Sequence, residues 1–187
     1  NEREWPLRRT QYTPYYIGSA GDAHRPAGSG RLTLGLPVGA GASDTFVYNP
    51  LQPVPSAGGA MLGPRAGVYI QNEIEERSDV LVYSSQALEE PLETTGPITA
   101  VLYVKTDVVS TDWTVKLVDV HPDSTAYNVC DGILRHSYAL ERMPQPIKVV
   151  LWPTSHVFLT GHRIRVEISS SNFPRFDRNP NTGTVVS

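Results

Sequence analysis

A single cysteine, Cys130, stands among 187 residues, which excludes an internal disulfide framework and any zinc site built from several thiolates. Its expected role is that of a small buried side chain on a strand. No apolar run approaches the ~20 residues of a membrane-crossing helix, and residues 1 to 20 lack the charged start and apolar stretch of a signal peptide. Excess basic charge is missing as well. The formal net charge is −3 and Lys and Arg are scattered, so neither nucleic acid nor membrane is an expected partner. No window sustains an apolar stripe at i, i+3, i+4 and i+7 over three turns; Ser85 to Leu92 is at best one short helical turn.

Catalytic signatures are equally scarce. A nucleophile elbow needs GxSxG between a strand and a helix, and no GxSxG exists here. Gly28-Ser29-Gly30 is closest, but it lies in a loop and reads as a flexible turn. His24, His121, His136, His156 and His162 show neither HExxH nor another short ligand spacing, so they are expected at the surface or in turns. Residues 177–181 place oxygen ligands on alternate positions like a calcium loop, but the glycine is displaced to Gly183 and no bidentate acid follows. Gly39-x-Gly41 precedes no helix and makes no phosphate cradle. The residues themselves thus supply no catalytic group, metal site or cofactor site.

What the chain does have is alternation. Strands are predicted at Leu32–Leu36, Thr45–Tyr48, Val80–Ser84, Ile98–Lys105, Trp113–Val120, Ala126–Cys130, Ile147–Trp152 and Gly161–Ser170, rich in the β-branched and aromatic residues that suit a pleated surface. Turn formers fill 39–43, 50–59, 96–97, 122–124 and 153–155, and His121-Pro122-Asp123-Ser124 joins the clearest hairpin. The pattern implies one all-β domain over residues 1–187, a jelly-roll-like two-sheet sandwich with long loops and little helix. At this length such a domain buries roughly 70% of the surface its unfolded chain exposes.

The segment 156–183 is the most telling. Ile164, Val166 and Ile168 point to one face, while Arg163, Arg165, Glu167 and Ser169 point to an expected wet face. The strand then runs into the polar loop FPRFDRNPNTG, and this loop with the arginine-bearing face is the expected docking edge. Asp131 and Arg135, four apart around an expected turn, are predicted to pair. The start at Asn1 rather than Met reads as a piece of a longer protein.

Several strings, in order along nearly the whole chain, carry a resemblance. They are Trp5-Pro6 with Tyr15-Tyr16-Ile17, FVYNPLQPVPSAGG (46–59), ERSDVLVYSSQAL (76–88), TGPITAVLYVKTD (95–107), STDWTVKLVDVHPD (110–123), CDGILR (130–135), and the run from Trp152 to Gly183. Together they resemble the C-terminal, non-catalytic jelly-roll domain of the X-Pro dipeptidyl-peptidase and cocaine-esterase (CocE/NonD) family of serine hydrolases. That resemblance implies an absent α/β-hydrolase domain bearing the serine, aspartate and histidine, and a helical cap, with residues 1–30 as the entry segment from it. It further implies a parent hydrolase acting on ester or X-Pro peptide bonds.

This domain would pack on the catalytic domain, its expected partner, and would shape the substrate pocket. Met61 and Leu62 are the candidates for pocket lining. Trp5, Tyr16, Asn172, Phe173, Arg175, Asp177 and Asn179 are the candidates for interdomain contact, and a homo-oligomer is a further expected partner. The family usually has a longer link where Met143-Pro144-Gln145-Pro146 stands, and a last strand beyond the NTG motif, so either a sheet edge or apolar groove is left exposed here or that strand comes from elsewhere. A free-standing carbohydrate- or ligand-binding jelly roll, stacking sugars on Trp5, Tyr15 or Phe176, is the alternative.

Overall fold

A computed structural model describes residues 3–37, 41–137 and 143–183. Alternating sequence becomes strand in eight stretches of the described residues: β1 (Tyr16–Gly18), β2 (Arg31–Thr33), then after a short helix α1 (Asn72–Glu75), β3 (Leu81–Ser84), β4 (Leu92–Val104), β5 (Ser110–Val120), β6 (Ala126–Ser137), β7 (Gln145–Phe158) and β8 (Arg163–Ser169). One sheet runs β1-β2-β3-β8-β5-β6 and a second pairs β4 with β7. The sandwich and the near-absence of helix agree with the all-β expectation.

The period-2 rule places the core between the sheets. Leu102 and Val104 of β4 and Ile147, Val149 and Leu151 of β7 turn inward to meet Trp113, Val115 and Leu117 of β5 and Ile164 and Ile168 of β8. Phe158 is fully buried at the end of β7. The neighbours of these residues, Val101, Tyr103, Val150 and Trp152, face outward and are exposed. Cys130 lies in the core as expected, and burial first, then Asp131, pushes its thiol up to about 12.

β5 departs from simple alternation, because every one of its residues is buried. It lies between β8 and β6, and both of its faces are covered. The same cover corrects the expectation for residues 163–169. Arg165, Glu167 and Ser169 are buried, and β8 runs inside the sheet between β3 and β5, so this strand is not a docking edge.

Other boundaries move for local reasons. Residues 153–155 lie inside β7 rather than in a turn; the ladder to β4 is interrupted between Gly96 and Ile98, so Pro97 and Pro153 sit where no ladder N–H is required. The predicted strand 45–48 is unpaired backbone, although Phe46 packs edge-on against Trp113 at 6.0 Å. Residues 85–92 form no helical turn, and the one short helix falls in the 50–79 crossover instead. Gly28-Ser29-Gly30 is not a free turn: a Cβ on Gly30 would overlap the Val82 carbonyl oxygen, so this glycine is needed for close backbone approach.

Candidate interdomain surface

The outer face of the larger sheet is roofed by the crossover 50–80 and by the loop after β8. The roof is fastened through buried charge. Lys116 Nζ donates to Glu167 Oε2 at 2.9 Å and to Gln71 Oε1 at 2.6 Å, while Arg165 Nη1 donates to Glu75 Oε2 at 2.6 Å. Gln71 Nε2 in turn holds the carbonyls of Ala57 and Tyr69, both at 2.9 Å. One glutamine thereby ties two points of the crossover to the sheet. The cavity among Val54, Lys116, Asp131, Glu167 and Asn172 is about 10 Å³, room for one water and not for a substrate.

Glu75 titrates abnormally in this layer. Burial first, and the nearby Glu167 second, push its carboxyl from an ordinary 4.5 up to about 7, against the pull of Arg165. Oε1 of both Glu75 and Glu167 lacks a hydrogen-bond donor, so the ionised forms are under-compensated. Between about pH 4.5 and 7 the folded chain therefore holds a proton that the unfolded chain has lost, and Glu75 weakens the fold as pH rises through that window. Glu75→Gln is expected to remove this slope. Its stability relative to the parent chain should improve from about pH 5 to about pH 8 by up to roughly 3 kcal/mol, read from urea midpoints across that range.

The loop after β8 is fastened in the same way, and here the predicted interface residues separate into two groups. Asn172 is buried and its Nδ2 donates to Asp131 Oδ2 at 3.0 Å; Arg175 Nη1 contacts both oxygens of the same carboxylate. Asn179 is only 2% exposed, and its Nδ2 donates to Asp112 Oδ1 at 2.9 Å and to Ser110 Oγ at 3.2 Å. These side chains hold the loop to its own domain. The other group faces out: Trp5 at 54%, Phe173 at 38%, and the exposed Asp177, whose carbonyl accepts from Arg135 Nη2 at 3.2 Å. Tyr16 is half-buried on β1, opposite Thr33 of β2.

The expected Asp131–Arg135 pair does not form. β6 continues through both positions, so four residues span about 13 Å of extended chain instead of a turn. Arg135 reaches across to the residue facing it, Asp112, with Nε to Oδ1 at 2.8 Å and Nη2 to Oδ2 at 2.9 Å. Asp131 is left to Arg175. Only the β5–β6 register decides this choice.

Met61 and Leu62 occupy a small loop whose base is closed twice, Gly59 N–H to Gly67 O at 2.7 Å and Gly67 N–H to Gly59 O at 3.0 Å. Tyr69 OH donates to Pro64 O at 2.7 Å and braces its far side. Met61 is half-buried and Leu62 is 100% exposed. Leu51, Val68 and Ile70, on the same roof, are exposed too. A fully exposed leucine on a loop pinned at its base gains nothing within this chain, and such a roof has the make-up of an interface core.

The X-Pro dipeptidyl-peptidase C-terminal non-catalytic domain family matches residues 1–186. The chain belongs to this family. It is 44% identical over 198 residues to the cocaine esterase of Rhodococcus sp. (strain MB1 Bresler), covering all of this chain and 34% of that protein. Among solved structures, an α-amino acid ester hydrolase superposes with a TM-score of 0.77 at 26% identity, covering 92% of this chain and 31% of that one. An aminopeptidase from the marine sediment archaeon Thaumarchaeota archaeon also gives 0.77, at 28% identity, covering 98% of this chain and 32% of that one. The chain thus spans about a third of these relatives, and the shared part is their non-catalytic domain. The family's description is of a non-catalytic domain.

Proposed function

We propose that this chain is the accessory domain of a serine ester hydrolase, packing on an α/β-hydrolase domain through its roof of loops and lending Met61 and Leu62 to the wall of the substrate pocket. The observation that carries this reading is Leu62, wholly exposed on a loop braced at its base. Trp5, Phe173 and Asp177 supply further outward contacts, with Tyr16 at the entry to the sheet, and Asn172, Arg175 and Asn179 act behind them by holding the docking loop in shape. Ester chemistry is favoured by the 44% identity to a cocaine esterase. The bare outer face of β4 and β7, with Val101, Tyr103, Val150 and Trp152, is the surface left for a second copy.

The carbohydrate-binding alternative needs adjacent exposed rings on one sheet face. The rings it would use, Trp5, Tyr15 and Phe176, lie outside the strands, and only Trp5 is exposed while Tyr15 and Phe176 are half-buried, so they offer no such face.

Leu62→Ser in the full-length protein tests the pocket role. The expected result is a loss of about tenfold or more in kcat/KM on an aryl ester, with the melting temperature unchanged because the side chain packs on nothing in its own domain. Unchanged kcat/KM for this variant and for Met61→Ser would remove these residues from the pocket.

A further inference from the structure

Three histidines distant in sequence converge on one carboxylate. Asp119, near the end of β5, is buried; His121 follows in the turn to β6, His162 lies in the turn ahead of β8, and His156 is on β7 of the second sheet. Asp119 Oδ1 is hydrogen-bonded to His162 Nδ1 at 2.8 Å and Oδ2 to His156 Nε2 at 2.9 Å. His121 Nε2 lies 3.9 Å from Oδ2, beyond hydrogen-bond distance, with its ring 4.3 Å from that of His162. His162 lies in a turn, as expected, but is buried there.

We propose that Asp119, His121 and His162 bind a divalent transition metal of the Zn²⁺ class, with His156 orienting the carboxylate from behind. The ligand atoms of the three residues lie within 4.8 Å of one another. Metal–nitrogen bonds of about 2.0–2.1 Å need donors roughly 3.3 Å apart, so closure requires a shift of about 1.5 Å at most. His121 can supply it, because its side chain is 39% exposed and follows the last residue of β5. Two imidazoles and one carboxylate suit Zn²⁺, Co²⁺ or Ni²⁺ better than Mg²⁺ or Ca²⁺, which favour all-oxygen shells. The His156 hydrogen bond to the carboxylate is the kind of outer contact that fixes a ligating group.

The position also gives such an ion a task. It would join the β5–β6 turn to the β7–β8 turn, and through His156 both sheets, at one end of the sandwich. Sequence spacing conceals the site, since Asp119 and His121 are separated from His162 by two whole strands and the register of β5 against β8 brings them together.

The test uses tag-free, full-length protein stripped with a chelator. Titration with Zn²⁺, and separately with Co²⁺ followed by its visible d–d bands, is expected to show one equivalent bound through this site, with Mg²⁺ giving no effect at equal concentration. His121→Ala should weaken that binding more than tenfold, and His156→Ala by about 10–100-fold as the loss of an outer contact. Both side chains are partly exposed, so these variants are expected to fold, and a melting curve without metal verifies it. Zn²⁺ should raise the melting temperature of the parent protein and not that of His121→Ala. Absence of Zn²⁺ and Co²⁺ binding, or binding of unchanged affinity in both variants, would overturn the proposal and leave a hydrogen-bonded Asp–His cluster without an ion.

Discussion

Asp131→Ala is expected to cost about 3–5 kcal/mol, the loss that follows when one member of a buried ion pair is removed and the other stays behind. The Asp131 carboxylate takes Arg175 on both oxygens and Asn172 on one, and the Asp131 and Arg175 side chains are 8% and 5% exposed. Without it the guanidinium stays buried with no anion beside it. The loop after β8 loses its main fastening to β6, and with it the placement of Phe173, whose N–H and carbonyl join Val54 and Ser56. Urea unfolding gives the cost. A double variant, Asp131→Ala with Arg175→Met, should recover most of it, because an apolar chain in place of the stranded cation removes the uncompensated charge. A double variant as unstable as the single one would show that the carboxylate matters through some other contact.

Gly132→Val should cost as much as overpacking ordinarily does, up to about 3 kcal/mol, or more. Gly132 sits on β6 where the backbone of β7 passes close by. A Cβ there would overlap the Val150 carbonyl oxygen and stand 2.9 Å from Leu151 Cα. Both are backbone atoms of β7, and that backbone is held by its ladder to Thr99 and Ile98 of β4. No rotamer change relieves the clash, so the sheets must part. Gly35→Ala is the control, since nothing lies within 4 Å of its added Cβ and its backbone is not left-handed; it should be neutral within about 0.5 kcal/mol. Thermal unfolding of the two variants side by side distinguishes crowding at Gly132 from a general penalty for losing a glycine.

Much of the fold was legible because a strand writes its two faces into the chain. The inward series Leu102 and Val104, Ile147, Val149 and Leu151, and Ile164 and Ile168 could be read by period alone, and each lies in the core. The hairpin at His121 to Ser124 was equally plain from its turn chemistry. The same rule misled where a polar residue was taken to mean water. Arg165 and Glu167 read as solvent-facing, yet loops cover them, and Arg165 is held by Glu75 and Glu167 by Lys116. A period reports which residues share a face and carries no information on what covers that face. The predicted interface residues divided for this reason: Phe173 and Trp5 lie outside, whereas Asn172, Arg175 and Asn179 are spent inside.

The sequence by itself determined the class: a chain of alternating strands and turns, without a helical stripe or nucleophile elbow, that folds as an all-β domain. That much follows from local pattern, since pleat, turn and motif are each confined to a few neighbouring residues. The tertiary structure alone decided the pairings. Asp131 with Arg175, Arg135 with Asp112, and Asp119 among three histidines depend on register between strands and on loops crossing a sheet. Coulomb and coordination partners are chosen by distance in space, and no spacing along the chain encodes it.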